Sequence, residues 1–235
     1  MAIGGPFPAW RDFCENQPLE KFFNLNNTSM KKFFSSLLAA SLMLLGTQAF
    51  AQISVNAGYL NSSIKVGNND PSNANGAFAG VSFNVPVAGG LAIAPGVYYS
   101  MITSKSTANL GSIASGSGTF MEHAINVPVY LNYNIALNRD TNFFIFGGPT
   151  LQYGLASTIK YEGNVLGVSG SSTSDNYKND NYNRMNVYLG GGVGINAGGY
   201  MITLGYDYGM MNQYKGDNAA SAHRSNLKIG VGYAF

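Results

Sequence analysis

From Gln52 to Phe235 apolar residues recur at every second position, segment after segment. A period of two puts successive side chains on opposite faces of a strand and does not fit an amphipathic helix. Ile53, Val55, Ala57 and Tyr59 share one parity, with Ser54, Asn56 and Gly58 between them. The pattern returns in 77–85, 91–103, 121–135, 143–157, 185–197, 200–210 and 225–235. In the last of these, Leu227, Ile229, Val231, Tyr233 and Phe235 alternate with Asn226, Lys228, Gly230 and Gly232. Together these segments predict eight strands, and no stretch after residue 52 combines helical periodicity with caps.

The connections alternate as well. Those near 86–90, 138–141 and 196–199 are short, whereas 62–75, 104–118, 160–182 and 212–223 are long and polar. Short turns at one end and long loops at the other are the pattern of an outer-membrane barrel. The expected fold is therefore all-β: an eight-stranded antiparallel up-and-down transmembrane β-barrel over residues 52–235. An even strand number brings both ends of that segment to the short-turn, periplasmic side.

The direction of the alternation separates a membrane barrel from a soluble one. Charged residues make up 10% of the chain, against roughly 25% in ordinary globular domains. A soluble, lipocalin-like barrel around an apolar ligand would have to turn the Asn, Gly and Ala parity outward, and that face is poor in charge for a soluble surface. Phe83, Tyr133, Phe143, Tyr200, Tyr233 and Phe235 fall on the apolar face near the short-turn rim. Tyr59, Tyr99, Tyr153 and Tyr208 fall on the same face near the long-loop rim. Two aromatic belts with aliphatics between them match the two interfaces of a bilayer. A net charge of +2 without a basic tract excludes a nucleic-acid binder. Cys14 is the single cysteine, and the two histidines lie far apart, so neither a disulfide, a metal site nor a cofactor is expected.

The opposite parity fills the lumen. Tyr98, Phe144, Phe146, Gln152, Tyr188, Asp207 and Lys228 point inward, with Gly190, Gly192, Gly194, Gly230 and Gly232 relieving the crowding. Counted up from the short-turn rim, Asp207 and Lys228 reach a similar height and are expected to pair. Glu122, Arg184 and Arg224 form a second, higher charged layer. Eight strands leave room only for side chains, so these charges read as a structural plug rather than a gate.

Ahead of the strands, Met30-Lys31-Lys32 leads into an apolar run and then Ala49-Phe50-Ala51. A basic start, a short apolar core and a small-x-small end make a secretory signal over 30–51, cleaved between Ala51 and Gln52 and read by the secretion machinery. Residues 1–29 are expected to be a non-native upstream extension that stays disordered.

The signal, the alternating strands and the ending Leu227-Lys228-Ile229-Gly230-Val231-Gly232-Tyr233-Ala234-Phe235 resemble the outer-membrane β-barrel domain family, often labelled porin-family, with small barrels of the OmpX and OmpA transmembrane type similar in size. The resemblance covers 52–235. It implies that Ile229, Val231, Tyr233 and Phe235 are the signal read by the barrel-assembly machinery, and that the location is the outer membrane of a Gram-negative bacterium. The expected work is structural, or a surface interaction with an extracellular ligand through the long loops, by a monomer. The longest loop carries Tyr161, Asp175, Tyr177, Lys178, Asp180 and Tyr182, of which the tyrosines supply contact area while Ser, Gly and Asn make the loops adaptable. Lys65, Lys105, Lys160, Lys178 and Lys215 can meet outer-membrane lipids and anionic lipopolysaccharide.

Two alternatives stand beside this reading. One is a narrow porin-like channel for ions or small solutes. The more distant one is a lipid A-modifying enzyme, since His223-Arg224-Ser225-Asn226 is similar to the His-x-Ser-Asn motif of a deacylase family. No carboxylate follows Asp217, so the third catalytic member is missing from its expected place, and no enzyme activity is expected.

Overall fold

Nine strands run through the described residues of the computed structural model. They are β1 (Gln52–Val66), β2 (Ser72–Ala88), β3 (Leu91–Leu110), β4 (Ala114–Ala136), β5 (Thr141–Val165), β6 (Val168–Asp175), β7 (Met185–Ala197), β8 (Tyr200–Gly209) and β9 (Ala222–Ala234). The described residues are 52–67, 70–110, 114–165, 168–178, 182–213 and 221–235. The 1–29 extension, the signal segment with Ala49 and Ala51, and loop residues Asp180 and Lys215 lie outside them.

Eight strands form a closed antiparallel ring, in the order β1-β2-β3-β4-β5-β7-β8-β9. It closes where β9 lies along β1, from Ser54↔Ala234 to Val66↔Ala222, and the Phe235 amide donates to the Ile53 carbonyl at 2.8 Å. Closure leaves the ring no sheet edge, which is what a β-structure in hydrocarbon requires. Outward rows then meet as apolar cross-strand pairs such as Tyr59↔Ile229, Ile145↔Val193 and Ile195↔Ile202. Ile202 and Val231 expose 64% and 60% of their surface, a wall that only lipid would cover.

The short connections follow from their residues. Gly89 and Gly90 have φ of 55° and 85°, and Gly198 and Gly199 have 57° and 91°. Two adjacent positive φ values make the two-residue hairpin turn whose twist suits the flanking strands. In the third turn the amides of Leu137 and Asn138 donate to the Thr141 carbonyl at 2.9 and 3.2 Å.

Above the ring the strands run further than the apolar alternation indicates. The expected loops 104–118 and 160–182 are in large part strand. β3 and β4 stay paired from Ser104↔Phe120 to Leu110↔Ala114, and β4 and β5 from Ala114↔Val165 downward. The ninth strand, β6, turns back along β5 alone, from Thr158↔Asp175 to Val165↔Val168. The physical reason is that Ser, Thr and Gly carry no hydrophobic period, while the hydrogen-bond ladder simply continues the register set in the barrel. Strands β3 to β6 thus form a four-stranded arm beyond the outer aromatic belt.

One irregularity positions the lumen residues. The β4–β5 register shifts between His123↔Ala156 and Ala124↔Gly154, leaving Leu155 outside the pairing. Gln152 and Gly154 face inward below this bulge and Ser157 faces inward above it, while Leu155 remains 47% exposed.

The narrow lumen depends on absent side chains. A Cβ at Gly194 would run into the Phe144 ring, whereas at Gly147 the nearest atom, the Gly190 carbonyl oxygen, is 3.5 Å away. Gly194→Val is expected to lower stability by about 1–3 kcal/mol, the usual overpacking range. Gly147→Ala is expected to stay near the parent in the same urea titration in lipid bilayers.

Candidate functional site

The inward parity of the strands builds two stacked compartments. The lower is a cavity of about 260 Å³ that starts at the short-turn rim with Gln52, Asn84, Asn142 and Asn196 and rises to Asp207 and Lys228. Its ceiling carries the pair expected from the height count. Lys228 Nζ lies 2.6 Å from Asp207 Oδ2 and donates to the Tyr130 hydroxyl at 3.0 Å. Gly190, the register partner of Asp207, leaves the carboxylate its space, because a Cβ there would strike Oδ1.

Above this pair the section is filled. The guanidinium of Arg224 grips Glu122 in a two-pronged ion pair, Nη1 to Oε1 and Nη2 to Oε2, the latter at 2.9 Å. The two side chains are 1% and 2% exposed. Nη2 also donates to the Tyr182 hydroxyl at 3.2 Å, and that hydroxyl donates to Gln213 Oε1 at 2.7 Å. Beneath lies a relay of neutral groups. Tyr188 donates to Gln152 at 3.0 Å, Gln152 to Asn126 at 3.1 Å, and Asn126 to Ser100 at 2.8 Å. Tyr188, Gln152, Asn186 and Ser62 are all buried, so the layer separates the lower cavity from the outer mouth.

Arg184 does not join this layer, which corrects its placement among the lumen charges. It precedes β7, is exposed, and rests on the Tyr177 ring with its guanidinium carbon 4.9 Å from the centroid. The strand begins only at Met185, so the inward parity extrapolated to residue 184 has no ladder to enforce it. Tyr177 itself folds back over Gly154, where a Cβ would meet its hydroxyl, and packs on Tyr182 at 5.7 Å between ring centroids. Burial, then the Glu122 charge, pushes the Tyr177 phenol above the ordinary tyrosine range. Tyr177, Tyr182 and Gln213 lie outside the alternating segments, and no local signal marks them as returning to the lumen. Tyr130 could have been found, because it shares the inward parity.

The outer wall carries the remaining marked residues. His123 faces outward beside Tyr99, the two rings stacked at 5.9 Å. His223 stacks on Tyr208 at 5.8 Å with an interplanar angle of 15°, and its Nδ1 donates to the Gly209 carbonyl at 3.0 Å. Ser225 faces the same way. Among the described residues no hydrogen bond joins His223 to Ser225, and no carboxylate bonds either one. No group of three or more His, Cys, Asp or Glu able to hold a metal occurs among them. Ile229, Val231, Tyr233 and Phe235 all face outward on β9, with Phe235 74% exposed and its ring 5.0 Å from that of Tyr233.

The family model described as outer membrane protein beta-barrel domain matches residues 42–215. Among solved structures, Ail, the attachment invasion locus protein of Yersinia pestis, is 14% identical, with 79% of this chain and 99% of that chain covered and a TM-score of 0.38. Neisserial surface protein A is 13% identical over 79% and 99% of the two chains, with a TM-score of 0.44. The outer membrane enzyme PagL is 9% identical over 77% and 98%, with a TM-score of 0.40. No curated protein matches the chain.

The Glu122–Arg224 pair yields a stability prediction. Arg224→Ala leaves a buried carboxylate unpaired and is expected to cost about 3–5 kcal/mol. Replacing both, Glu122→Leu with Arg224→Met, is expected to recover most of that loss. Unfolding in lipid bilayers measures the single and double variants side by side.

Proposed function

The chain belongs to the outer membrane protein beta-barrel domain family, and on that premise we propose that it is a barrel-anchored surface protein whose β3–β6 arm meets a ligand outside the cell. The arm is the observation that carries this reading. It extends the paired backbone well past the outer belt, and among the described residues β6 pairs on one side only. Its sequence Val168-Ser169-Gly170-Ser171-Ser172-Thr173-Ser174-Asp175 has neither a proline nor a lysine to guard the free edge. Tyr161, 54% exposed, adds aromatic contact area beside the Lys160–Glu162 ion pair of 2.7 Å.

In this reading the barrel is an anchor and acts as a monomer, exported by the signal at 30–51 and assembled through the outward row Ile229, Val231, Tyr233 and Phe235. The plug of Glu122, Arg224, Tyr188 and Gln152 argues against a channel. Among the described residues no carboxylate bonds His223 or Ser225, which argues against the lipid A-modifying alternative.

Three measurements test the proposal together. Ser171→Cys is expected to react with a membrane-impermeant maleimide on intact cells. Cells carrying the full chain are expected to adhere to at least one member of a panel of immobilised extracellular proteins and glycans. That adhesion is expected to disappear when 106–117 and 160–175 are each replaced by a short turn. Labelling only after lysis, adhesion that ignores the arm, large steady conductance in a planar bilayer, or a change in lipid A mass on expression would each contradict it.

A further inference from the structure

A second feature of the outer wall is independent of the arm. Between β1, β8 and β9, at the outer belt and reaching just above it, lies a notch of about 470 Å³ lined chiefly by Ser63, Lys65, Tyr208, His223, Ser225 and Leu227. We propose that this notch binds the phosphorylated sugar headgroup of a glycolipid in the outer leaflet.

The argument begins with parity. On β1 the outward row is apolar from Ile53 to Tyr59 and then turns polar at Asn61, Ser63 and Lys65. On β9 it is apolar from Phe235 down to Leu227 and then turns polar at Ser225 and His223. These rows are register partners. Ser63 lies opposite Ser225, and Lys65 lies opposite His223. Two successive outward rungs therefore present a pair of hydroxyls and then an ammonium beside an imidazole. Polar groups on the lipid side of a barrel at this height meet headgroups rather than acyl chains.

The groups are available for a ligand. Among the described residues Lys65 is exposed and forms no ion pair, and no carboxylate lines the notch. The nearest carboxylate along the chain, Asp70, is exposed in the β1–β2 connection and makes no ion pair with it. His223 is held in place by the Gly209 carbonyl and by Tyr208, which leaves Nε2 without a partner among the described residues. An ammonium, an imidazole and two hydroxyls make a donor set for a phosphate ester. The tyrosine rings give a flat face for a sugar, as in other carbohydrate-stacking sites with an amphipathic aromatic platform. The upper edge is pinned, because the Gly67 amide donates to the Ser221 carbonyl at 2.9 Å.

The lower edge chooses lipid over free phosphate. There the notch passes into Tyr206 and Leu227, which are 52% and 43% exposed, and so into the apolar wall below. A headgroup seated on Lys65 and His223 has its acyl chains directed along that wall. A free anion would gain nothing from it.

The test uses the full chain in phosphatidylcholine nanodiscs doped with bisphosphorylated lipid A, with native mass spectrometry reading how many lipid A molecules stay bound. Retention of lipid A is expected in the parent, with a fall of about fivefold in Lys65→Gln, the effect of one cation at a lipid surface. His223→Ala is expected to weaken retention as well. Lys105→Gln, an exposed lysine on β3, is expected to leave it unchanged. Dephosphorylated lipid A is expected to be retained poorly, and inorganic phosphate added to lipid A-free discs is expected not to bind. Equal losses from Lys65→Gln and Lys105→Gln would reduce the notch to general surface charge and overturn the proposal. Equal retention of dephosphorylated lipid A, or binding of inorganic phosphate alone, would overturn it too. All of these positions face out of the barrel, and heat-modifiable migration in electrophoresis confirms that each variant is folded before it is read.

Discussion

The hydrogen bonding of β1 to β9 is the interaction on which everything else rests. In hydrocarbon an unpaired backbone amide or carbonyl costs several kcal/mol, so a sheet there is stable only when it has no edge. Once Ser54 through Val66 lie along Ala222 through Ala234, every ring strand has a neighbour on both sides. The closure also fixes which parity faces lipid. A slip of one residue would turn Lys228 and Asn226 outward and bury Ile229 and Leu227, so the apolar rows and the ladder enforce each other.

The same closure makes the inside a problem of charge. A ring of eight strands has a narrow lumen that side chains largely fill, and charges placed there must be paired. Asp207 with Lys228, and Glu122 with Arg224, each leave one cation facing one anion. They sit at different heights and serve different surroundings. The lower pair borders a cavity and is joined by a tyrosine hydroxyl, while the upper pair is sealed under Tyr182 and above Tyr188. Gly190 on the neighbouring strand gives the lower pair its room, against the Asp207 carboxylate. The filled upper lumen is thus a structural core turned inside out.

How far the sequence reveals this depends on whether a residue lies in an alternating run. The strand rows, the turns at Gly89-Gly90 and Gly198-Gly199, and the relative heights of Asp207 and Lys228 follow from parity counted along an unbroken ladder. The arm does not, because Ser, Thr and Gly keep the backbone hydrogen bonds of a ladder already in register without leaving a hydrophobic trace. β6 is invisible for that reason. Arg184 escapes the parity count because it stands one residue before β7, where no ladder holds it. Tyr177 and Tyr182 reach the plug from a long connection, and only the fold brings them over Gly154 and Arg224. The bulge at Leu155 is a further limit, since it moves the inward parity from Gln152 to Ser157 without any break in composition.

The most direct test of the account is the folding of the segment from Gln52 onward with and without an amphiphile. Refolded from urea into lipid or detergent micelles, it is expected to gain β-structure and a compact form that resists unfolding until heated. In buffer alone it is expected to stay unfolded or aggregate. The same stable, monomeric β-structure in plain buffer would contradict an outward-facing apolar wall, and with it the membrane-anchored barrel.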